Sequence, residues 1–360
     1  MRIGIVGLPN AGKSSLFTAL TGVAVQAANY PFTTIEPNVA VVPVGDERLE
    51  AVAETVHASE VVPDTITFHD IAGLVAGAHS GEGLGNRFLA QIRETDAIVH
   101  VIRVHADPEV VHPSGRVDPL ADLETVETEL IYADLEQAAR RLERVAKAAR
   151  GGDRDASEEE RLLLRELIET LQRGRPASAL YATDELPESL RALSLLTVKP
   201  VLYVANVEEG SLEVPEDVER HTAAAGAGVV ALSARLEAEL SELSPQEAKA
   251  IRTEFGMAES GVEAVVRGAF SLLSLIAFFT ADSGRPAHSW HIRDGLSVWH
   301  AAGLIHTDMQ RGFARAEVIS WQELVAANGY GGARERGSLR LEGREYRVRD
   351  GDVILVRFAR

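Results

Sequence analysis

The chain has 360 residues, of which 46% are hydrophobic and 25% are charged, and its formal net charge is −18. This length predicts two or three domains, and the negative charge argues against DNA binding, because contacts to phosphates depend on Lys and Arg. No apolar run reaches the roughly 20 residues that a membrane helix needs, so no membrane partner is expected. The sequence contains no Cys and no signal-peptide pattern, and both features favour a cytoplasmic protein.

The first 110 residues alternate strand and helix patterns. Strands are predicted over RIGIVGL (2–8), VAVVPV (39–44), DTITFHD (64–70) and AIVHVIRV (97–104), and a helix over KSSLFTAL (13–20). Further along, two more strands are predicted over VKPVLYVAN (198–206) and GVVALSA (228–234). Strands that alternate with helices predict an α/β fold with a largely parallel sheet.

Residues 118–197 interrupt this alternation. Apolar residues recur at helical spacing from Leu120 to Val145 and again from Leu164 to Leu171, with a polar break between them. The pattern predicts two long helices that form a hairpin inserted into the α/β domain. The alternative is that both helices simply pack on the sheet. The preceding segment, residues 103–117, has no assigned role.

The pattern changes again near residue 277. The apolar stretch FSLLSLIAFF (270–279) is predicted to be a buried helix. Short strands are then predicted over AHSWHI (287–292), RAEVIS (315–320), REYRVR (344–349) and DVILVRF (352–358), with a short helix over SWQELVAANG (320–329). This part is a small α+β module. It is slightly basic, with 12 Arg against 10 Asp and Glu from Ala281 onward.

Residues 7–14, GLPNAGKS, match the Walker A pattern between a predicted strand and a predicted helix. In such a loop the backbone N–H groups wrap the phosphates of a nucleoside triphosphate, and the following helix presents its positive end. Lys13 is expected to bridge the β- and γ-phosphates, and Ser14 to ligate Mg²⁺. Ala11, Gly12 and Ser15 are expected to contact the nucleotide as well.

Asp70 ends a predicted buried strand and begins the sequence Asp-Ile-Ala-Gly. Its carboxylate suits Mg²⁺ coordination, and the N–H of Gly73 can sense a γ-phosphate. Between the two motifs lies YPFTTIEPN (30–38), in which a Thr can complete the Mg²⁺ shell. Thr34 is favoured over Thr33 because an Ile follows it, as in Ras-like proteins. The alternative is a purely structural loop.

The residue that orients the attacking water is not obvious. Ras-like enzymes use a Gln directly after Asp-x-x-Gly, and this position holds Leu74. Either the protein does not hydrolyse nucleotide or another group acts. His79, in a Gly-rich stretch, is the candidate, and the alternative is a solvent-exposed His. Asn10 can hold a monovalent cation such as K⁺ against the phosphates, or it can merely cap the loop. Lys13, His79 and Asn10 are therefore the candidate catalytic residues.

The base-reading motif is altered. A predicted strand runs into Asn206-Val207-Glu208-Glu209, where a GTPase has Asn-Lys-x-Asp. That Asp accepts hydrogen bonds from N1–H and the N2 amine of guanine, and the longer Glu209 disrupts this geometry. Asn206 can pair with N6 and N7 of adenine, and Val207 offers an apolar wall. The motif predicts that ATP is preferred over GTP, and a GTPase that tolerates Glu is the alternative. The backbone of Ser233 and Ala234, after the next strand, is expected to meet the base.

Together these motifs resemble the YchF / Obg-like ATPase family, a branch of the Obg-related, translation-factor-class P-loop NTPases. The sequences that carry the resemblance are GLPNAGKSSLF, AANYPFTTIEPN, DIAGLVAGAHSGEGLGNRFLAQIRETDAIVHV, ANVEE, GLIHTDMQRGFARAEVI and RLEGREYRVRDGDVILVRF. The resemblance extends over essentially the whole chain. It implies a Ras-like P-loop NTPase domain (1–117 and 198–276), an inserted helical, coiled-coil arm (118–197) and a C-terminal α+β TGS domain with a ubiquitin-like β-grasp fold (277–360).

The resemblance also implies a function. It implies ATP preference, a hydrophobic residue at Leu74, a catalytic His at His79, and a link to ribosomes, translation and stress responses. The leading hypothesis is a slow ATPase whose ATP and ADP states position the arm and the TGS domain against the ribosome. The alternatives are an Obg-type GTPase in ribosome assembly and a non-hydrolysing, nucleotide-dependent interaction protein.

Overall fold

The computed structural model describes residues 1–26, 38–71, 84–107, 110–113, 115–148, 155–257 and 259–359. The strands are β1 (Arg2–Val6), β2 (Val39–Pro43), β3 (Val61–Val62), β4 (Thr65–Asp70), β5 (Ala97–Arg103), β6 (Val201–Asn206), β7 (Val229–Leu232), β8 (Leu275–Thr280), β9 (Ala287–Arg293), β10 (Phe313–Ser320), β11 (Arg340–Glu342) and β12 (Asp352–Phe358). The helices are α1 (Lys13–Gln26), α2 (Glu47–Val56), α3 (Leu84–Arg93), α4 (Pro119–Ala148), α5 (Asp155–Gln172), α6 (Glu188–Arg191), α7 (Glu216–Ala224), α8 (Ala234–Leu240), α9 (Pro245–Glu254), α10 (Gly261–Leu272), α11 (Val298–Ile305), α12 (Thr307–Arg311), α13 (Trp321–Ala326) and α14 (Tyr330–Glu335).

The chain divides into two compact units, and the first contains one six-stranded sheet. The strand order is β2-β4-β1-β5-β6-β7, and β4, β1, β5, β6 and β7 run parallel. All seven residues of β5 are buried, as expected for a parallel strand covered on both faces. Parallel strands joined by helices confirm the α/β prediction for this part of the chain.

Helices α4 and α5 form the predicted hairpin within the first unit. The beginning of α4 packs on the α/β domain, where Val126 and Leu130 join a core with Ile92 of α3. Farther along, α4 and α5 share a separate core that includes Val145, Leu164 and other apolar residues. Both alternatives for this segment are therefore partly correct, since one end packs on the domain and the remainder is stabilised by its own hydrophobic core.

The second unit contains the other six-stranded sheet, with the order β11-β10-β12-β8-β9-β3. Strands β8 and β9 form an antiparallel hairpin, and β12 returns parallel to β8. Strand β10 lies on the other side of β12 and is antiparallel to it. A hairpin, a helix and a central return strand make up the β-grasp arrangement expected for the C-terminal part.

Two sequence predictions in this unit are wrong. The stretch 270–279 is not one buried helix, because α10 ends at Leu272 and β8 begins at Leu275. Between them Ser274 has a left-handed backbone, with φ of 50°, which ends the helix. The stretch 344–349 is not a strand but forms an isolated bridge from Arg347 to Ser297. Both errors arose because short apolar or alternating runs fit helix and strand about equally well.

Residues 47–62 belong to the second unit, although the sequence assigned them to the nucleotide-binding domain. The buried face of α2, which includes Leu49 and Val52, packs in one core with Phe279 and Leu324. Strand β3 pairs in parallel with β9. The amphipathic pattern of α2 predicted a helix but could not specify which sheet covers it. Among the described helices, none is both long and apolar enough to cross a membrane.

Candidate nucleotide site

The Walker A residues form the loop between β1 and α1, at the carboxyl end of a central parallel strand. Gly7 and Gly12 have φ of 154° and 103°. A Cβ atom at Gly7 would collide with the carbonyl oxygen of Val101, and one at Gly12 would collide with the amide of Asn206. The loop therefore needs Gly at both positions, for its backbone conformation and for its close approach to neighbouring elements.

Lys13 is the buried cation of this loop, with an exposed fraction of 8%. Its Nζ donates a hydrogen bond to the carbonyl oxygen of Leu8 at 2.8 Å. Burial lowers the pKa of Lys13, and the nearby carboxylate of Asp70 acts in the opposite direction. Ser14, next to it in the first turn of α1, is exposed. The loop thus holds a desolvated ammonium group next to an exposed Ser.

Asp70 stands at the end of β4, next to β1 in the sheet. Burial raises its pKa, and the charge of Lys13 partly offsets this. Its Oδ1 is buried and has no hydrogen-bond partner among the described residues. A bound cation would satisfy a buried carboxylate oxygen in this state, and Ser14 and Asp70 are suitable oxygen ligands for Mg²⁺. Within the described ranges, no group of three or more His, Asp and Glu could hold a metal by itself.

Four predicted residues cannot be compared with the structure. Thr34, Gly73, Leu74 and His79 all lie outside the described residues. Their roles stay predictions.

Asn206 has a position that sequence reasoning did not anticipate. It is 5% exposed, and its Nδ2 donates to the carbonyl oxygen of Ala11 at 3.0 Å. Its Oδ1 accepts from the backbone N–H of Ala234, also at 3.0 Å. The amide therefore joins the Walker A loop to the loop that precedes α8. One N–H and one lone pair of the amide are left for a base.

The remaining residues of the base-reading motif differ in exposure. Val207 is 2% exposed, so its side chain packs inside the protein rather than at an open surface. The side chain of Glu209 is 45% exposed, and its Oε1 lies 3.8 Å from Nε of Arg235. Ser233 caps α8 by accepting a hydrogen bond from the N–H of Leu236. The structure thus brings Asn206, Ser233 and Ala234 together and leaves the carboxylate of Glu209 near the surface.

Three backbone carbonyl groups that follow β5, in a part of the chain with no predicted role, surround the guanidinium group of Arg103. Arg103 ends β5 and is 2% exposed, and it donates hydrogen bonds to the carbonyl oxygens of His105, Asp107 and Val110. The next carbonyl, that of Val111, accepts from Nδ2 of Asn10 at 2.9 Å. The available sequence signal was an Arg inside the apolar run AIVHVIRV (97–104), which contradicts the usual exposure of Arg and so indicates a structural role.

Two contacts connect the same region to α4. His112 Nε2 lies 2.8 Å from Oδ2 of Asp122, in the first turn of α4. Glu127, one turn later, accepts a hydrogen bond from the hydroxyl of Tyr203 on β6. Helix α4 is therefore linked both to the segment that touches Asn10 and to the strand that ends at Asn206.

The fold and this site define a P-loop nucleoside-triphosphate-binding protein. The family model MMR_HSR1, described as "50S ribosome-binding GTPase", matches residues 2–135, and the model YchF-GTPase_C, described as a protein of unknown function, matches residues 275–359. The proteins named "Ribosome-binding ATPase YchF" from Bacillus subtilis and Haemophilus influenzae are each 44% identical to the chain, and each alignment includes 99% of it. The alignments include 98% and 99% of those proteins, respectively.

A solved structure agrees with the sequence comparison. The structure of the Schizosaccharomyces pombe YchF GTPase is 32% identical and has a TM-score of 0.87, with 99% of this chain and 97% of that chain aligned. The chain belongs to the YchF family.

Proposed function

We propose that the protein is a ribosome-associated regulatory ATPase, which prefers ATP to GTP and hydrolyses it slowly. The name of its bacterial relatives, ribosome-binding ATPase, supports both the activity and the partner. The observation that carries the ATP preference is the motif Asn206-Val207-Glu208-Glu209. This motif occupies the position of the Asn-Lys-x-Asp motif that binds guanine in GTPases, and Asn206 is hydrogen-bonded to the Walker A loop. It lacks the Lys and the Asp of the GTPase motif.

The residues of the Walker A loop bind the triphosphate. The buried ammonium group of Lys13 exchanges its bond to Leu8 for the β- and γ-phosphate oxygens, which relieves its desolvation. The backbone of Ala11, Gly12 and Ser15 surrounds the phosphates. Ser14, Asp70 and Thr34 would hold Mg²⁺, which when bound neutralises charge on the phosphate oxygens.

Hydrolysis depends on groups other than the Gln of Ras-like enzymes. His79 orients the attacking water, and Gly73 senses the γ-phosphate through its N–H. Asn10 keeps its Nδ2 on the carbonyl of Val111, and its amide oxygen can then serve a K⁺ ion beside the phosphates. Because Leu74 replaces the Gln of Ras-like enzymes, we expect slow intrinsic turnover, roughly as in Ras at 10⁻⁴ s⁻¹.

The contacts around Arg103 support a switch in translation or in a stress response. A nucleotide that moves Asn10 displaces the backbone at Val111, and the neighbouring His112 contacts Asp122 in the first turn of α4. The two-helix arm is therefore placed to respond to ATP and ADP. A ribosome that contacts the arm in one state changes nucleotide affinity by the same factor that the nucleotide changes ribosome affinity.

The activity is tested by ATP turnover of the purified protein, with and without ribosomes and K⁺. We expect slow basal turnover that ribosomes or K⁺ accelerate, almost none in Lys13→Ala, and a loss of at least tenfold in His79→Ala. Fast basal ATP turnover that neither ribosomes nor K⁺ change would contradict the proposed switch. Unchanged turnover in His79→Ala shows that this His is not catalytic. ATP binding without measurable turnover favours the non-hydrolysing alternative.

A GTPase is the second candidate, because one matching family model and the S. pombe relative are both described as GTPases. The same assay with GTP separates the two. A GTP turnover at least tenfold faster than that of ATP, with and without ribosomes, favours the GTPase.

A further inference from the structure

A cluster of charged side chains lies where β6 and β7 end. Arg235, the second residue of the turn that starts α8 after Ser233, is its central cation, and its side chain is 74% exposed. Its Nε lies 3.2 Å from Oε1 of Glu239, one helical turn later, and 3.8 Å from Oε1 of Glu209. The guanidinium group of Arg235 therefore lies near two carboxylates, and one of them, Glu209, belongs to the base-reading motif.

Asn206 connects this pair to the Walker A loop. Its amide binds the N–H of Ala234 on one side and the carbonyl of Ala11 in the Walker A loop on the other. Arg235 is the next residue after Ala234, and Glu209 is three residues after Asn206. Arg235 on α8 and Glu209 after β6 therefore both lie within three residues of a group that the amide of Asn206 joins to the Walker A loop.

The cluster carries more acidic than basic groups. The hydrogen bond and charge of Glu239, followed by the charges of Glu209 and Asp107, raise the pKa of Arg235. The same acidic groups act on His105. Burial and the charge of Arg103 lower the pKa of His105, and the charges of Asp107, Glu208 and Glu209 act in the opposite direction. Among the described residues of this cluster, Arg235 is the cation that lies closest to the carboxylate of Glu209.

We propose that Arg235 is a specificity-determining residue that acts through Glu209 and disfavours guanine. Guanine needs a carboxylate that accepts from its N1–H and N2 amine, and adenine has no use for such an acceptor. By pairing with Glu209, Arg235 competes with guanine for the carboxylate. Loss of Arg235 leaves Glu209 a better acceptor for guanine and hardly affects adenine. The proposal refines the ATP preference stated above and rests on the same site.

The expected effect is modest because both side chains are exposed. An exposed ion pair is weak because water screens both charges, so we expect its loss to change affinity by a factor of about five at most. In Arg235→Ala we expect GTP affinity to rise roughly twofold to fivefold and ATP affinity to change by less. The difference in GTP affinity between the wild type and Arg235→Ala should become smaller at high salt, since salt screens exposed charges.

The test is equilibrium competition of ATP and GTP, each with Mg²⁺, for the nucleotide site of the full-length protein. Arg235→Ala is compared with Arg235→Lys, which keeps a charge, and with Arg140→Ala. Arg140 is a matched control because it also pairs with a Glu one turn away, is 56% exposed and lies on α4. The control should leave both affinities unchanged, and the Lys variant should change GTP affinity less than the Ala variant.

A double-mutant cycle with Glu209→Gln shows whether Arg235 acts through Glu209. The proposal predicts that Arg235→Ala has no effect on GTP affinity once Glu209 is Gln. An equal effect in both backgrounds overturns the proposal, because Arg235 would then act on the nucleotide directly. An unchanged GTP affinity in Arg235→Ala also overturns it, while an ATP preference of the wild type would still support the proposed function. A wild type that prefers GTP contradicts the proposed function, yet a rise in GTP affinity that depends on Glu209 would still support the role of Arg235.

Discussion

Replacement of Asn206 by Ala removes the amide that joins the Walker A loop to the loop before α8. The carbonyl oxygen of Ala11 and the N–H of Ala234 both lose a bond of 3.0 Å, and both residues are buried. A buried polar group without a partner costs about 1–3 kcal/mol, so the two together predict a loss of about 2–6 kcal/mol in unfolding free energy. ATP affinity should fall at least tenfold, because the loop is no longer held in its binding conformation.

The assay for Asn206→Ala must report on the first unit. The three Trp residues, Trp290, Trp299 and Trp321, belong to the second unit, so Trp fluorescence is not a suitable probe. Amide hydrogen exchange of β6 and α8, with ATP titrations at equilibrium, measures both effects directly. Asn10→Ala is the control for the exchange measurement alone, since this exposed Asn has one described bond, to Val111, and its replacement should cost about 1 kcal/mol. Exchange and ATP affinity that match wild type in Asn206→Ala would refute the joining role of the amide.

Three further predictions concern single side chains. Lys13→Ala should lower ATP affinity about tenfold to a hundredfold in titrations, without lowering unfolding free energy, because it removes a buried charge. A loss of stability would contradict this. Burial lowers the pKa of His100 from 6.5 to about 3, so its contribution to stability is complete above pH 6.5 and is lost as the pH falls toward 3. His100→Phe should therefore reduce the slope of unfolding free energy against pH by about 1.4 kcal/mol per unit between pH 4 and 6, and an unchanged slope would oppose this assignment. Leu164→Ala, in the core of the arm, should cost about 2–5 kcal/mol in denaturant unfolding and leave ATP affinity unaltered, whereas a coupled loss of affinity would show that the arm supports the site.

The sequence predicted the parts of the fold that depend on local pattern. The alternation of buried strands with helices, the Walker A loop and the two helices of the arm all follow from periodicity and from Gly placement. The sequence did not predict which part of the molecule a helix or strand packs against. The apolar face of α2 does not reveal that it packs against Phe279 in the second unit. The apolar run 270–279 does not reveal its break at Ser274.

The candidate site shows the same division. The positions of Lys13 and Asp70 follow from motifs, since the Walker A loop follows β1, Asp70 ends β4, and these two strands are neighbours in the sheet. The contacts of Asn206 and Arg103 could not be predicted from motifs, because both side chains bind backbone atoms, which are the same in every residue type. Asn206 was expected to face a base, and the structure gives half of its hydrogen-bonding capacity to the protein itself.

The most direct measurement is competitive equilibrium binding of ATP and GTP, with Mg²⁺, to the wild-type protein. The altered base-reading motif predicts that ATP binds more tightly and that Glu209→Asp shifts the balance toward GTP. Tighter binding of GTP by the wild type would contradict the reading of Asn206-Val207-Glu208-Glu209 as a site that favours adenine, and the protein would then be a GTPase in spite of its motif.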